Sequence, residues 1–273
     1  MPLLPDQVPE GWNDSSEGYD ANVFDFMQPY VRSLLERAAP GPDHDVLDVA
    51  AGTGAVTAAV APSVRRVVAA DFAERMLDLL RRRVEGAGLQ NVETRLMDCQ
   101  RLELDDGSFD VVCSNFGVIF FPDRRAGFSE MRRVLRPDGG RAAMTAWSTP
   151  DRFELFGMFA RALDEALPDR PQPPAPPPLF SLADPGLLEH ELREAGFAEV
   201  RVDTVSHDYE VADADEFWSL ITKSAPPAQA LLQKVGPEGR EKMRSALADL
   251  ARDRFGDGPL RFSNEAHVAV AFR

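Results

Sequence analysis

The sequence predicts an α/β fold built on a doubly wound, largely parallel sheet. Three observations predict it. Short apolar runs alternate with helical segments between residues 46 and 146, which is the rhythm of βαβ units. Those runs are apolar enough to suit strands covered on both faces. The first of them turns through Ala50-Ala51-Gly52-Thr53-Gly54 straight into a helix, where glycines allow a sharp bend and the helix N-terminus offers free amides.

Each element has its own justification. Phe24, Met27, Tyr30, Val31, Leu34, Leu35 and Ala38 fall at helical spacing, so residues 23–39 are expected as a helix stopped by Pro40-Gly41-Pro42. Residues 1–22 are polar and turn-rich, with Trp12 and Tyr19 as isolated aromatics. Strands are expected at 46–50, 64–70, 92–97, 109–114 and 141–146, with helices at 55–61, 74–86 and 125–135 between them. Pro62, the turn Asp105-Asp106-Gly107-Ser108 and the turn Pro137-Asp138-Gly139-Gly140 punctuate the series. Phe153, Phe156, Ala160 and Leu163 mark one face of a further helix. Residues 171–178 carry six prolines in eight positions and are expected as a stiff crossing, since such a run cannot be helix or central strand. A helix at 185–195, a strand at 199–209, helices at 214–235 and 238–255, and a strand at 267–272 complete the reading.

Composition limits the function. The chain has 273 residues, 44% hydrophobic and 27% charged, enough for one large α/β domain. Its 30 Lys and Arg against 45 Asp and Glu give a net charge of −15. That balance disfavours nucleic acid, whose phosphates are held by clustered cations, and an anionic membrane surface. Two cysteines, Cys99 and Cys113, are too few for a disulfide framework or a cysteine-rich zinc site, so no metal is expected. Met1-Pro2-Leu3-Leu4-Pro5-Asp6 lacks the basic flank and apolar core of a signal peptide. No apolar run approaches the roughly 18 residues of a membrane span. A cytoplasmic protein with a small-molecule partner is expected, as a monomer or homodimer.

The glycine turn is sharpened by three carboxylates. A dinucleotide fingerprint starting at Gly52 would need a small third residue, and Thr57 stands there. Asp48, two places before Ala50, suits a cationic amino group better than a pyrophosphate. Asp71 ends the second strand, 23 residues on, where it would grip ribose hydroxyls. Asp98 follows the third strand, where it would accept from an adenine amino group. Amino acid, ribose and adenine together describe S-adenosylmethionine.

On these residues the sequence resembles the class I S-adenosylmethionine-dependent methyltransferases, and within them the small-molecule branch that includes ubiquinone and menaquinone C-methyltransferases. Asp71-Phe72 with Met76, Met97-Asp98-Cys99, Phe109-Asp110-Val111-Val112 and Glu130-x-x-Arg133-Val134-Leu135-Arg136-Pro137-Asp138-Gly139-Gly140 carry the likeness in order. The resemblance implies a Rossmann-like sheet of seven strands, the last antiparallel. It implies that Asp48 with Ala50, Gly52, Thr53 and Gly54 holds the methionine end of the cofactor. Asp71 would bind the ribose, Phe72 and Met76 the adenine face, Asp98 the adenine amino group and the Cys99 amide a ring nitrogen. Asn115, Phe116 and Gly117 would lie under the sulfonium, and Tyr19 in a segment folded over the cofactor. The family often has Gly where this chain has Ala50.

A single domain over 1–273 is expected. Residues 1–40 would cover the cofactor, 41–147 would bind it, and insertions 148–183 and 212–262 would cap an apolar acceptor. Phe153, Phe156, Phe159, Phe217, Trp218 and Ile221 are the candidate wall. Of four histidines, His44 lies at the wrong end of the sheet and His190 on a helix surface. His207 is the leading candidate base and His267 the second. The expected reaction is methyl transfer to oxygen, carbon or nitrogen of a small apolar or aromatic metabolite, with oxygen or carbon favoured. The alternatives are a non-methylating cyclisation or elimination, a nicotinamide-dependent dehydrogenase, and a non-enzymatic cofactor sensor.

Overall fold

In the computed structural model, which describes residues 3–170 and 177–273, a long helix α1 (Pro9–Ala38) precedes the sheet. Then follow β1 (Asp45–Val49), α2 (Ala55–Val60), β2 (Arg66–Asp71), α3 (Glu74–Gly86), β3 (Val92–Leu96), β4 (Val111–Asn115), α4 (Arg124–Val134) and β5 (Arg141–Trp147). The second half comprises α5 (Glu154–Ala166), α6 (Pro185–Glu194), β6 (Glu199–Val211), α7 (Ala214–Ser224), α8 (Pro226–Phe255) and β7 (Leu260–Phe272). The strands form one sheet in the order β3-β2-β1-β4-β5-β7-β6. β7 alone runs opposite to the other six strands. This is the seven-stranded Rossmann-like arrangement expected.

The sheet is covered on both faces because its central strands are apolar on both. Val46, Val111 and Cys113 pack with Val31 and Leu34 of α1 and with Val56 and Val60 of α2. Leu47 and Val112, one residue out of phase, pack with Phe128 and Met131 of α4 and Leu188 and Leu192 of α6, as the period-2 alternation of strand side chains requires. At the edge the covering thins: Leu96 of β3 is 54% exposed. Asp123, Asp184 and Asp213 cap α4, α6 and α7 by accepting backbone N–H bonds.

Three expectations are corrected. Residues 9–22 are helical, the first part of α1 rather than a turn-rich lead-in. The helix expected over 214–235 is two, because Pro226 and Pro227 end α7 and open α8; proline is tolerated in a first helical turn and not in an interior. Strand β7 begins at Leu260, seven residues before the expected start at 267, so the segment between β6 and β7 ends there and not at 262. Of the proline run, residues 171–176 lie outside the described residues. Helix α8 packs on α5 and α7, α7 and α8 pack on α1, and α5 and α8 pack on β7. They form a helical layer beyond the carboxyl end of β5. Among the described residues no helix is long and apolar enough to cross a membrane.

Candidate functional site

A cavity of about 350 Å³ opens where α1, α5, α7 and α8 meet the carboxyl ends of β1, β2, β4 and β5, the place where open α/β sheets bind ligands. The β1–α2 turn forms its floor. Gly52 and Gly54 take positive φ (+55° and +89°), and so does Ala50 (+55°). An L-residue in that region costs roughly 1–2 kcal/mol, so Ala50 is held there by its surroundings. One is Gly117, where an added Cβ would overlap that of Ala50 and lie 2.8 Å from Ser114 Oγ. The β4 end that carries Gly117 is strained too, since Phe116 sits at φ +57°. Two strained non-glycine residues side by side on one cavity wall mark a site whose geometry is imposed.

Asp71 ends β2 and is 5% exposed. Its Oδ2 accepts from Gly52 N at 2.8 Å and its Oδ1 from Ala73 N at 2.9 Å, so the carboxylate braces the turn as well as facing the cavity. Burial raises its pKa against these bonds. Asp98 lies at the mouth and accepts from Gln100 N at 2.9 Å. Cys99 beside it is buried, its Sγ 3.6 Å from the Ala70 carbonyl, and burial pushes its thiol up. Phe72, Met76, Asn115 and Phe116 complete this end. Asn115 is fixed by Thr145, whose Oγ1 donates to Asn115 Oδ1 at 2.9 Å while accepting from Phe116 N at 2.8 Å. Tyr19 reaches in from α1, its hydroxyl pKa raised by burial and by Asp71.

Four expected residues are elsewhere. Asp48, 1% exposed, points from β1 to α2. There its Oδ2 accepts from Thr57 N (3.0 Å) and Oγ1 (2.6 Å), while its Oδ1 has no partner among the described residues. Burial drives its pKa up to about 7. Thr53 and Gly54 face α3: the Thr53 carbonyl accepts from Arg83 Nε at 3.1 Å, and Gly54 lies against Leu80. His207 is not in the cavity wall. Its Nε2 is 3.0 Å from Ser33 Oγ on the outer side of α1, and burial followed by Arg32 lowers its pKa. The second candidate, His267, is held between Thr204 Oγ1 (3.0 Å) and the Ala183 carbonyl (2.9 Å). Neither imidazole reaches the cavity.

The remaining wall is aromatic. Phe116, Trp147 and Phe153 stack at centroid spacings of 4.0 Å with interplanar angles of 15° and 16°. Phe156 and Phe159 of α5 and Ile221 of α7 join them as expected, whereas Phe217 is fully buried and lies off the cavity, as does Trp218. The composition reading missed Asp6, Gln7, Trp12, Ser224 and the Pro226-Pro227 pair, all of which line the cavity. It also missed Arg83, which pairs with Asp20 of α1 and lies 3.4 Å over the Phe24 ring while holding the glycine turn. The available signal was small-residue spacing in α1: Gly11, Ser15 and Gly18 let α7, α8 and the first turn approach closely. Ser224 Oγ donates to the Gly18 carbonyl at 3.1 Å.

The donor set suits a cationic adenosyl ligand. Carboxylates stand at Asp71 and Asp98, and the turn lines the cavity with Ala50 and Gly52.

A methyltransferase domain model matches residues 46–139, the stretch from β1 to the turn before β5. The chain is 46% identical over 150 residues to a demethylmenaquinone methyltransferase of Clavibacter sepedonicus, across 54% of this chain and 60% of that one. It is 34% identical over 195 residues to nocamycin O-methyltransferase of Saccharothrix syringae, across 67% of this chain and 69% of the relative. The solved structure of BH2331 from Bacillus halodurans C-125 superposes with a TM-score of 0.56 at 24% identity. The superposition covers 88% of this chain and 97% of that one, a likeness of fold.

Proposed function

Because the chain belongs to the class I S-adenosylmethionine-dependent methyltransferases, we propose that it methylates oxygen or carbon of a small, flat aromatic acceptor held against the Phe116–Trp147–Phe153 stack. That stack carries the reading: three parallel rings continue the wall formed by the Ala50 and Gly117 ends of β1 and β4. Offset stacking between aromatic faces favours a planar ligand. The two curated relatives are named for demethylmenaquinone and for O-methylation of nocamycin, which supports a small organic acceptor.

When bound, the cofactor supplies an electrophilic methyl group on a cationic sulfur. Under this reading Asp71 takes the ribose hydroxyls, while Phe72, Met76, Asp98 and the Cys99 amide surround the adenine. Ala50 and Gly52 of the glycine turn receive the amino-acid end. Asn115, fixed by Thr145, and Gly117, which leaves room beside Ala50, shape the floor where acceptor and methyl align; alignment supplies a large share of what a protein contributes to such a displacement. Tyr19 and Trp12 of α1, with α7 and α8, exclude water. No histidine contributes a base, so transfer rests on positioning and on the electrophile.

The test is incubation with methyl-labelled cofactor and either 1-naphthol or 1,4-naphthoquinol, following label in the organic product and formation of S-adenosylhomocysteine. Label in the acceptor is expected. Acceptor converted to an unlabelled isomer with the cofactor intact would show a rearrangement and sink the proposal.

A further inference from the structure

Asp6 lies in a single 3-10 turn, Pro5–Gln7, that packs against α1 and the start of α8 and lines the cavity. It is 2% exposed, and its Oδ1 has no hydrogen-bond partner among the described residues. Its neighbours in the wall are satisfied: Asp71 by Gly52 and Ala73, Asn115 by Thr145, Ser224 by the Gly18 carbonyl. The turn is not loose. Trp12 Nε1 donates to the Asp6 carbonyl at 3.0 Å, Leu4 N donates to Gln7 Oε1 at 3.1 Å, and the absent side chain of Gly11 lets α1 seat against Pro5. Burying a carboxyl without a partner is costly, and natural proteins retain such a group where something else completes it.

We propose that Asp6 is the specificity residue of the acceptor chamber, accepting a hydrogen bond from a hydroxyl on the aromatic acceptor; this rests on the methyltransferase reading of the cavity. A hydroxylated ring entering against Trp12 and Phe120 meets a wall whose polar residues include Gln7, Tyr19, Ser224 and Asp6, and of these Asp6 carries a buried oxygen without a partner among the described residues. A neutral donor fits better than an ammonium group, because a cationic sulfonium shares the cavity and like charges repel strongly out of water. Asp6 thus narrows the acceptor from any flat aromatic to a phenol, naphthol or enol.

The experiment compares two ligands that differ only in the donor. 1-Naphthol and 1-methoxynaphthalene are titrated calorimetrically into protein saturated with S-adenosylhomocysteine, for wild type, Asp6→Leu and Asp6→Asn. A hydrogen bond to a charged group is worth roughly tenfold or more in affinity. Wild type is therefore expected to favour 1-naphthol at least roughly tenfold, Asp6→Leu to hold no preference, and Asp6→Asn to lie between them. Affinity for 1-methoxynaphthalene stays constant across the three. The thermal midpoint of Asp6→Leu is expected at or above that of wild type, since a buried unpartnered carboxyl is removed. Equal weakening of both ligands in Asp6→Leu, a preference that survives it, or absence of 1-naphthol binding would each overturn the proposal. Repeating the pair without S-adenosylhomocysteine separates the two readings. Failure to bind S-adenosylhomocysteine refutes the cofactor assignment, whereas the naphthol preference alone decides Asp6.

Discussion

Replacing Asp71 by Asn divides one carboxylate into its two proposed duties. The side chain is 5% exposed and accepts from Gly52 N at 2.8 Å and Ala73 N at 2.9 Å. An amide has one acceptor oxygen, so its NH2 must face one of those N–H donors. One charge-assisted bond is lost and a buried donor is left unpaired, a cost of roughly 1–3 kcal/mol. In a chain of this size 1 kcal/mol moves the thermal midpoint by roughly 2–4 °C, so ligand-free Asp71→Asn should melt about 2–12 °C lower. The ribose hydroxyls lose a charged acceptor as well, worth roughly 1.5–3 kcal/mol. That converts to a roughly 10- to 150-fold weaker Kd for S-adenosylhomocysteine. Calorimetric titration read beside thermal unfolding separates the two. A lower midpoint with Kd within about threefold of wild type would leave Asp71 a loop brace and refute the ribose assignment; an unchanged midpoint would refute the brace.

Asp48 makes stability depend on pH. Its folded pKa, near 7, lies above its unfolded value of 3.8, so the folded state binds the extra proton. Its stabilisation is complete below the unfolded value and is lost as pH rises through 7, with up to about 4 kcal/mol at stake. Urea unfolding at pH 5.5 and 8 should show wild type losing more stability than Asp48→Asn, and parallel losses would contradict the assignment. Gly117→Ala should destabilise by roughly 1–3 kcal/mol through overpacking, and Ala50→Gly should recover part of that by removing the opposing Cβ; a double-mutant cycle with no coupling would count against the contact. Trp147→Ala should cost roughly 3–5 kcal/mol, and Trp147→Phe far less. If Trp147→Phe also keeps naphthol affinity while Trp147→Ala abolishes it in folded protein, the ring stack is the acceptor surface; equal affinities would exclude that.

The sequence made the nucleotide-facing half legible because backbone geometry dictates residue type there. A strand that must turn at once into a helix needs residues such as Gly52 and Gly54, and carboxylates at strand ends announce themselves by spacing. Ala50 was the exception, a non-glycine residue at positive φ packed against Gly117. The first half of α1 was illegible for a different reason. Its buried face includes Ser15 and Ser16, and close packing against small residues writes no apolar stripe. The start of β7 was hidden by Asn264, a fully buried polar side chain whose Oδ1 accepts from Leu155 N at 3.2 Å. His207 misled because strand position says which end of the sheet a residue is near, and not which neighbour occupies its ring. Asp6 could not be found by pattern, since its burial comes from α1 and α8 meeting over it.

The placement of β7 between β5 and β6 also bears on how the molecule is made. Arg141 pairs with Phe272, and the Tyr30 hydroxyl donates to the Asn264 carbonyl 234 residues away at 2.9 Å. A nascent chain emerging from its N-terminus can assemble β1 to β5 in order, each strand beside one already laid down. β6 has no strand to join until β7 is synthesised, because its sole partner in the sheet is β7. Until then β5 presents an open edge and α1 lacks the strand against which Tyr30 is anchored. Such long-range pairing forms slowly, and unpaired edges invite association with other chains. Protection of the β5 edge from association with other chains therefore arrives only with β7.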